Sequence, residues 1–496
     1  QSSASVIPAM RTSTFLPLFS VAASFFNVID AKAVFAHYLV QPLFSVFCYR
    51  YANIMVPQVG SVTDAHALQD INDAIAMGLD AFALNVADPS ASYVAPALSS
   101  LFSHAKDRGF KLFLSMDLYA KGGGALSDYD YILNDYATAG AWFAGPNGKP
   151  LVSTFSAADF TAADFQTWRA SNDVYFMPDF DGTTGYYDAA DSWWSYWGGV
   201  VDGLFSWEST WPNVGATNDG DVTLDRTVSA GAVAHDKTYM IGLSLLQYKD
   251  AYSTNIYRRG ELNIAKRMEN ILKMDPAPLY VEIQTWGHYI GNLWTESNGD
   301  AQPAVYATQR GASHTGIQPL LTQFINAFKT SKTSFPASTN PVGAIWYKTI
   351  LQSTTCPDNS LGGFYSAPSG ASVGSDTISW AVVLPANGAS YSIQFVSNGA
   401  VAGKSVAGKA GYQYGSVALT ANQQFMKIVD AAGTVQYSTG LGRCVSATCW
   451  DDIYNYNPQV LGLEQGDHSG VGCWQMTQQA KAANGATDGP FYPSGI

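Results

Sequence analysis

Charge is scarce in this sequence. Only 13% of its 496 residues are Asp, Glu, Lys or Arg, about half the usual share of a globular domain. Acidic residues outnumber basic ones 39 to 26, for a formal net charge of −13. A phosphate-backbone partner is excluded, because nucleic-acid binding needs clustered Lys and Arg. No stretch reaches the roughly 18 consecutive apolar residues of a membrane span. The seven histidines show neither HExxH nor paired spacing, so no zinc site and no cofactor is expected. A Gly-x-Ser-x-Gly elbow is missing, which removes the serine-hydrolase reading. Gly122-Gly123-Gly124 lacks both GxGxxG spacing and a following Lys-Ser/Thr, so it is not a phosphate loop. What stands in the place of charge is aromatic and small polar surface: 13 Trp, 28 Tyr, 25 Phe and 45 Gly. Flat rings stack on the apolar faces of sugars, and a weakly charged surface suits a neutral polymer.

The N-terminus carries a targeting pattern. Met10-Arg11 precedes an apolar run from Phe15 to Ile29, then the small-x-small tripeptide Ala31-Lys32-Ala33. This reads as a secretory signal within a leader over 1–33, and places the protein outside the cell or in a cell wall. Five cysteines agree with an oxidising compartment. Cys444 and Cys449 bracket a short loop and are candidates for one bridge, Cys356 and Cys473 for another, leaving Cys48 as a free thiol.

From 34 to 352 short apolar runs alternate with helical patterns. The expected strands are Val34–Val40, Ala81–Val86, Lys111–Met116, Pro150–Phe155, Val174–Pro178, Gly203–Trp207, Thr238–Ser244 and Leu279–Thr285. Runs this uniformly apolar fit buried parallel strands. Helical spacing separates them: Val94, Leu98, Leu101, Phe102 and Ala105 share one face before Gly109, and Ile264, Met268, Ile271 and Leu272 do the same. Ile317, Leu321, Phe324 and Phe328 repeat the pattern after the last strand. Eight strands interleaved with helices predict an α/β fold, a (β/α)8 barrel. Beyond it the character turns all-β. Pro385–Gly388 and Asp430–Gly433 are turn signals between alternating runs, which predicts a β-sandwich domain over 353–463. A Gly-, Ala- and Gln-rich tail follows over 464–496.

In such a barrel the working residues sit at the C-terminal ends of the strands. Those ends carry His37, Asn85, Asp88, Asp117, Asp179, Asp181, Glu208, Glu282, Gln284, Trp286 and His288. Carboxylates in a charge-poor chain point to glycoside hydrolysis, in which one protonates the leaving oxygen and another activates water or attacks. Asp88, Asp179 and Asp181 read equally well as loop or helix-capping residues. Asp117, Glu208 and Glu282 are the catalytic candidates: Asp117 a cleft stabiliser, Glu208 the base, and Glu282 an acid if it points into the barrel. Trp207, Trp211 and Trp286 are expected to floor sugar subsites, with barrel-mouth packing as the competing reading. His37, Asn85, His288 and Tyr289 are the remaining candidate substrate contacts.

The residues also carry a family resemblance. Lys32-Ala33-Val34-Phe35-Ala36-His37-Tyr38-Leu39-Val40, Gly78-Leu79-Asp80-Ala81-Phe82-Ala83-Leu84-Asn85 and Phe110-Lys111-Leu112-Phe113-Leu114-Ser115-Met116-Asp117 occur in order. Gly148-Lys149-Pro150-Leu151-Val152-Ser153-Thr154-Phe155, Asp202-Gly203-Leu204-Phe205-Ser206-Trp207 and His288-Tyr289-Ile290-Gly291 follow. Together they resemble glycoside hydrolase family 71, the fungal endo-α-1,3-glucanases or mutanases. The resemblance implies a (β/α)8 barrel with a C-terminal β-sandwich, secretion, and inverting, metal-free hydrolysis of α-1,3-glucan. A monomer is expected. It places Asp117 on the family's third-strand aspartate. After the eighth strand the family carries Thr-Trp-Asn-Asp-Tyr-Gly-Glu-Ser, whose Asp and Glu are its proposed catalytic pair. Here Thr285-Trp286 runs directly into Gly287-His288-Tyr289, so neither carboxylate has a counterpart. Two alternatives follow: a non-catalytic glucan-binding homologue, or a glycosidase of another linkage.

Overall fold

The computed structural model describes residues 31–40, 63–121, 124–251, 254–286, 290–291, 314–356, 366–449, 454, 456–470 and 472–473. The leader's Met10, Arg11 and apolar run, Cys48, and the expected contacts His288 and Tyr289 lie outside the described residues.

The alternation read from the sequence is present. In chain order the barrel is built from β1 (Ala33–Val40), α1 (Asp64–Met77), β2 (Ala81–Val86), α2 (Val94–Arg108), β3 (Lys111–Asp117), α3 (Leu118–Lys121), α4 (Asp130–Tyr136) and β4 (Leu151–Phe155). It continues through α5 (Ala162–Ser171), β5 (Tyr175–Phe176), α6 (Asp191–Trp197), β6 (Gly203–Ser206), α7 (Thr223–Ala234) and β7 (Thr238–Leu243). A hairpin, β8 (Gln247–Ala251) and β9 (Thr254–Arg258), intervenes before α8 (Asn263–Leu272), β10 (Tyr280–Ile283) and α9 (Gln318–Lys329). The capping chemistry agrees with the boundaries. Thr63 accepts the His66 N–H at the start of α1, and Gly109, at φ 71°, ends α2.

The parallel sheet runs β5-β4-β3-β2-β1-β10-β7-β6. Between its ends, the Phe205 N–H donates to Pro178 O at 3.1 Å and Asp179 bridges to Phe205 in parallel, nearly closing the barrel. Aligned residues in parallel strands share a face, so the register identifies the lining: Phe35 beside Glu282, His37 beside Ala83, Asn85 beside Ser115, and Asp117 beside Phe155. This face points inward. Phe35 and Phe113, from non-adjacent strands, meet at 5.0 Å, and His37 meets Trp207 across the barrel at 4.7 Å. The opposite parity, including Leu84, Val86 and Met116, is buried under the helices.

The C-terminal strands are β11 (Val342–Lys348), β12 (Thr377–Leu384), β13 (Tyr391–Ser397), β14 (Ala400–Val401), β15 (Val406–Ala407), β16 (Gly411–Ala418), β17 (Gln424–Asp430), β18 (Val435–Thr439) and β19 (Pro458–Gln465). In place of two separate sheets they form one nine-stranded sheet, of order β14-β13-β17-β18-β19-β11-β12-β16 with β15 also pairing β13. Its halves fold over one core, where Trp380 of β12 meets Phe395 of β13 at 5.4 Å. The sheet also begins earlier than residue 353, since β11 pairs with β12 and β19. It shares a core with the barrel: Trp346, Ala381, Val383 and Val460 pack in the same cluster as the barrel strands. The Tyr412 hydroxyl donates to Ala265 O at 3.0 Å.

Both expected disulfides are corrected. Cys356 pairs with Cys449, and Cys444 with Cys473. The 444–449 loop does not close on itself because Ser446 is drawn into hydrogen bonds with Thr349 and Leu351, which carries Cys449 towards Cys356. Among the described residues no helix is long and apolar enough to cross a membrane.

Candidate active site at the barrel mouth

Asp117 ends β3 on the inward face. It accepts the Ala120 N–H at 2.9 Å, and the Asn85 side chain hydrogen-bonds it. Burial pushes its pKa up, and these two bonds with the charges of His37 and Lys249 only partly oppose that. Asn85 is thus brought to Asp117, as its place on the neighbouring strand requires.

Asp179 and Asp181, which the sequence left as capping candidates, form a buried pair. The Asp181 N–H reaches Asp179 Oδ1 at 3.3 Å. Asp181 Oδ2 accepts three donors: the N–H groups of Trp207 at 2.9 Å and Glu208 at 2.7 Å, and the Tyr187 hydroxyl at 2.7 Å. Burial, then the charge of Asp181, drives the Asp179 pKa well above the carboxylate range. Burial raises Asp181 too, against the donors that hold it. A neutral Asp179 beside an anionic Asp181 is the consistent charge state. The pair fixes the β6 exit, and therefore the course of Trp207 and Glu208.

Glu208 opens a short 3-10 turn just beyond β6, with its side chain 46% exposed. Its Oε2 meets Arg258 Nη2 at 2.5 Å. The Arg258 guanidinium lies 5.9 Å from the Trp211 ring. Lys249 is lowered by burial and held up by the charges of both Glu208 and Asp117. Both carboxylates thus act on the charge of Lys249.

Glu282 points into the barrel but does not reach the mouth. It is fully buried, and its Oε1 sits 2.8 Å from His37 Nδ1. The expected acid and the expected sugar contact thus form a buried pair, with the His37 ring against Trp207. Trp286 is buried as well. It is 1% exposed and packs on Phe82 at 4.9 Å, outside the barrel lining, so no face is open to a sugar. Trp207 and Trp211 are largely buried and meet edge to face at 6.1 Å, with Trp207 also edge-on to Phe155 at 4.9 Å. Sequence reasoning missed Tyr119. It is 68% exposed, two residues past Asp117, and sits edge-on to Phe155 at 6.3 Å. The signal was its position on the first turn after a strand-end carboxylate. Among the described residues no group of three or more His, Cys, Asp or Glu could hold a metal ion.

A nearly closed eight-stranded parallel barrel with carboxylates and aromatic rings at its C-terminal mouth is of the (β/α)8 class, whose working residues sit at that end of the strands. The chain is a member of glycosyl hydrolase family 71, whose description it matches over residues 30–471. It is 27% identical over 440 residues to a mutanase of Penicillium rubens, covering 85% of this chain and 90% of that protein. It is also 27% identical over 358 residues to a glucan endo-1,3-alpha-glucosidase of Schizosaccharomyces pombe, covering 66% of this chain and 76% of that protein. An ascus wall endo-1,3-alpha-glucanase of the same yeast is 24% identical over 420 residues, 81% of this chain and 89% of that protein.

Proposed function

We propose that this protein hydrolyses α-1,3-glucosidic bonds within α-glucan, with inversion and outside the cell. The observation that carries the reading is that Asp117, ending β3, and Glu208, just beyond β6, stand at strand C-termini of one barrel and both act on the charge of Lys249. Membership of the family and the names of its relatives supply the substrate class. Burial keeps Asp117 neutral to higher pH than an ordinary carboxyl, as a general acid requires. Glu208, partly exposed, acts as the base on water. Tyr119, Phe155 and Trp207 make a ring-lined path across which a sugar stacks, with Tyr119 the solvent-facing platform. Glu282 works through His37, holding it under Trp207.

A second reading is a glucan-binding protein without hydrolysis. The favouring observations are that Arg258 occupies the Glu208 carboxylate and that no Asp–Glu pair follows Trp286. Reducing sugar released from insoluble α-1,3-glucan, beside a pull-down on the same polymer, separates the two. Release with an inverted product anomer supports the first; retention on the polymer without release supports the second.

A further inference from the structure

Between β7 and α8, where a simple barrel loop would suffice, the chain inserts the hairpin β8–β9. Its register pairs Gln247 with Arg258, Tyr248 with Tyr257, and Lys249 with Ile256. Directly opposed residues share a face, and faces alternate along each strand. Lys249 and Arg258 therefore lie on one face, Tyr248 and Tyr257 on the other.

The two faces meet different partners. On the first, Arg258 grips Glu208 twice, through the carboxylate at 2.5 Å and the main-chain carbonyl at 3.3 Å, while its guanidinium covers Trp211. On the second, the Tyr248 hydroxyl donates to Tyr454 O at 2.9 Å, and Tyr257 packs on Tyr456 at 5.0 Å. The edge of β9 is tied to the C-terminal region as well. The Tyr257 N–H donates to Ser369 O at 2.8 Å and the Ser369 N–H to Asn255 O at 2.9 Å. At the base of the hairpin the Trp346 indole of β11 donates to Glu261 O at 2.9 Å. Gly260 completes the closure: a Cβ there would stand 2.6 Å from Leu245 O, so only glycine lets the two ends approach.

We infer that this hairpin is a strap by which the C-terminal region holds one wall of the cleft, and that Arg258 is a positioning residue acting through Glu208. The inference rests on the reading of Glu208 as the base. One guanidinium nitrogen holds the carboxylate and the other the main-chain carbonyl of the same residue, so Arg258 ties the Glu208 side chain to its own backbone. Its loss frees the Glu208 carboxylate from the approach to water that a base needs.

The test is a double-mutant cycle on the full chain with α-1,3-glucan as substrate, together with hydrogen exchange. Arg258→Ala should lower kcat by about tenfold to 10²-fold with KM little changed, the range for a misplaced catalytic group. Arg258→Lys should recover part of the loss. Adding Arg258→Ala to Glu208→Gln should cost nothing further, since residues acting through one another are non-additive. Ser369→Pro, which removes the N–H given to Asn255, should speed amide exchange in the hairpin and at residues 206–211, as Arg258→Ala should. Additive losses in the cycle would reduce Arg258 to general stability and overturn the inference. So would unchanged exchange at 206–211 in both variants, and this readout needs no activity. If the parent chain releases no sugar, the hydrolytic reading fails while the strap is still decided by exchange.

Discussion

Trp286→Ala tests whether the last-strand tryptophan packs the barrel or binds glucan. The indole is 1% exposed and touches Phe82 at 4.9 Å. Gly291 lies so close that a Cβ on it would come 2.3 Å from the ring. A site closed on these sides collapses poorly, so truncation should fall in the range of about 3–5 kcal/mol for buried Trp→Ala. At about 2.1 cal/mol/K per residue over the roughly 380 described residues, the unfolding entropy is about 0.8 kcal/mol/K, and Tm should drop by about 4–6 °C. Affinity for insoluble α-1,3-glucan, measured well below that Tm, should stay within about twofold, because less than 0.5 kcal/mol of binding is at stake. Scanning calorimetry and a glucan pull-down supply the two numbers. An unchanged Tm with an affinity loss of tenfold or more would refute the packing argument and restore Trp286 as a sugar platform.

Tyr119→Ala should do the opposite, weakening glucan binding by about tenfold, as for loss of one ring stack, with little change in Tm because the ring is exposed. Glu282→Ala takes the hydrogen-bond partner from the buried His37 Nδ1 and should cost about 1–3 kcal/mol in denaturant unfolding, more than Glu282→Gln, which keeps an oxygen for the ring. Asp179→Asn should stabilise the fold at neutral pH. Because its folded pKa is raised, the native state keeps a proton that the unfolded chain releases near pH 3.9, so stability falls as pH rises through the raised value. Asn removes that loss, and the Tm gap over the parent should widen between about pH 4 and pH 7. Reduction of both disulfides, which span separations of 93 and 29 residues, should lower stability by about 3–5 kcal/mol for each loop, read as a lower midpoint in denaturant.

The barrel was legible because buried parallel strands are written as continuous apolar runs, and Gly109 and the buried faces of α8 and α9 marked the helices. The fifth strand shrank to Tyr175–Phe176, and on its other side Pro178, with no N–H to give, leaves a single Asp179–Phe205 bridge towards β6. The hairpin β8–β9 was illegible. Its Gln247–Arg258 sequence is polar and reads as a loop, yet it supplies Lys249 and Arg258 to the mouth. Asp117 and Asn85 could be placed together from strand alternation alone. Glu282 could be aimed inward, but depth within a barrel depends on the stagger between strands, which alternation does not encode. The direction of Trp286 could not be read, because the ladder ends at the Gln284 N–H, which donates to Leu243 O, so alternation does not extend to it. Asp179 and Asp181 looked like loop residues because the Asp181 N–H to Asp179 Oδ1 bond is itself local, whereas the Trp207 and Glu208 N–H groups that hold Asp181 come from a distant loop.

The most direct measurement is the rate of reducing-sugar release from insoluble α-1,3-glucan by the full chain, its Asp117→Asn variant and its Glu208→Gln variant, with bound protein quantified in the same tubes. The account predicts release by the parent and a loss of about 10² or more in each variant at unchanged binding. Binding of all three without release by any would contradict it.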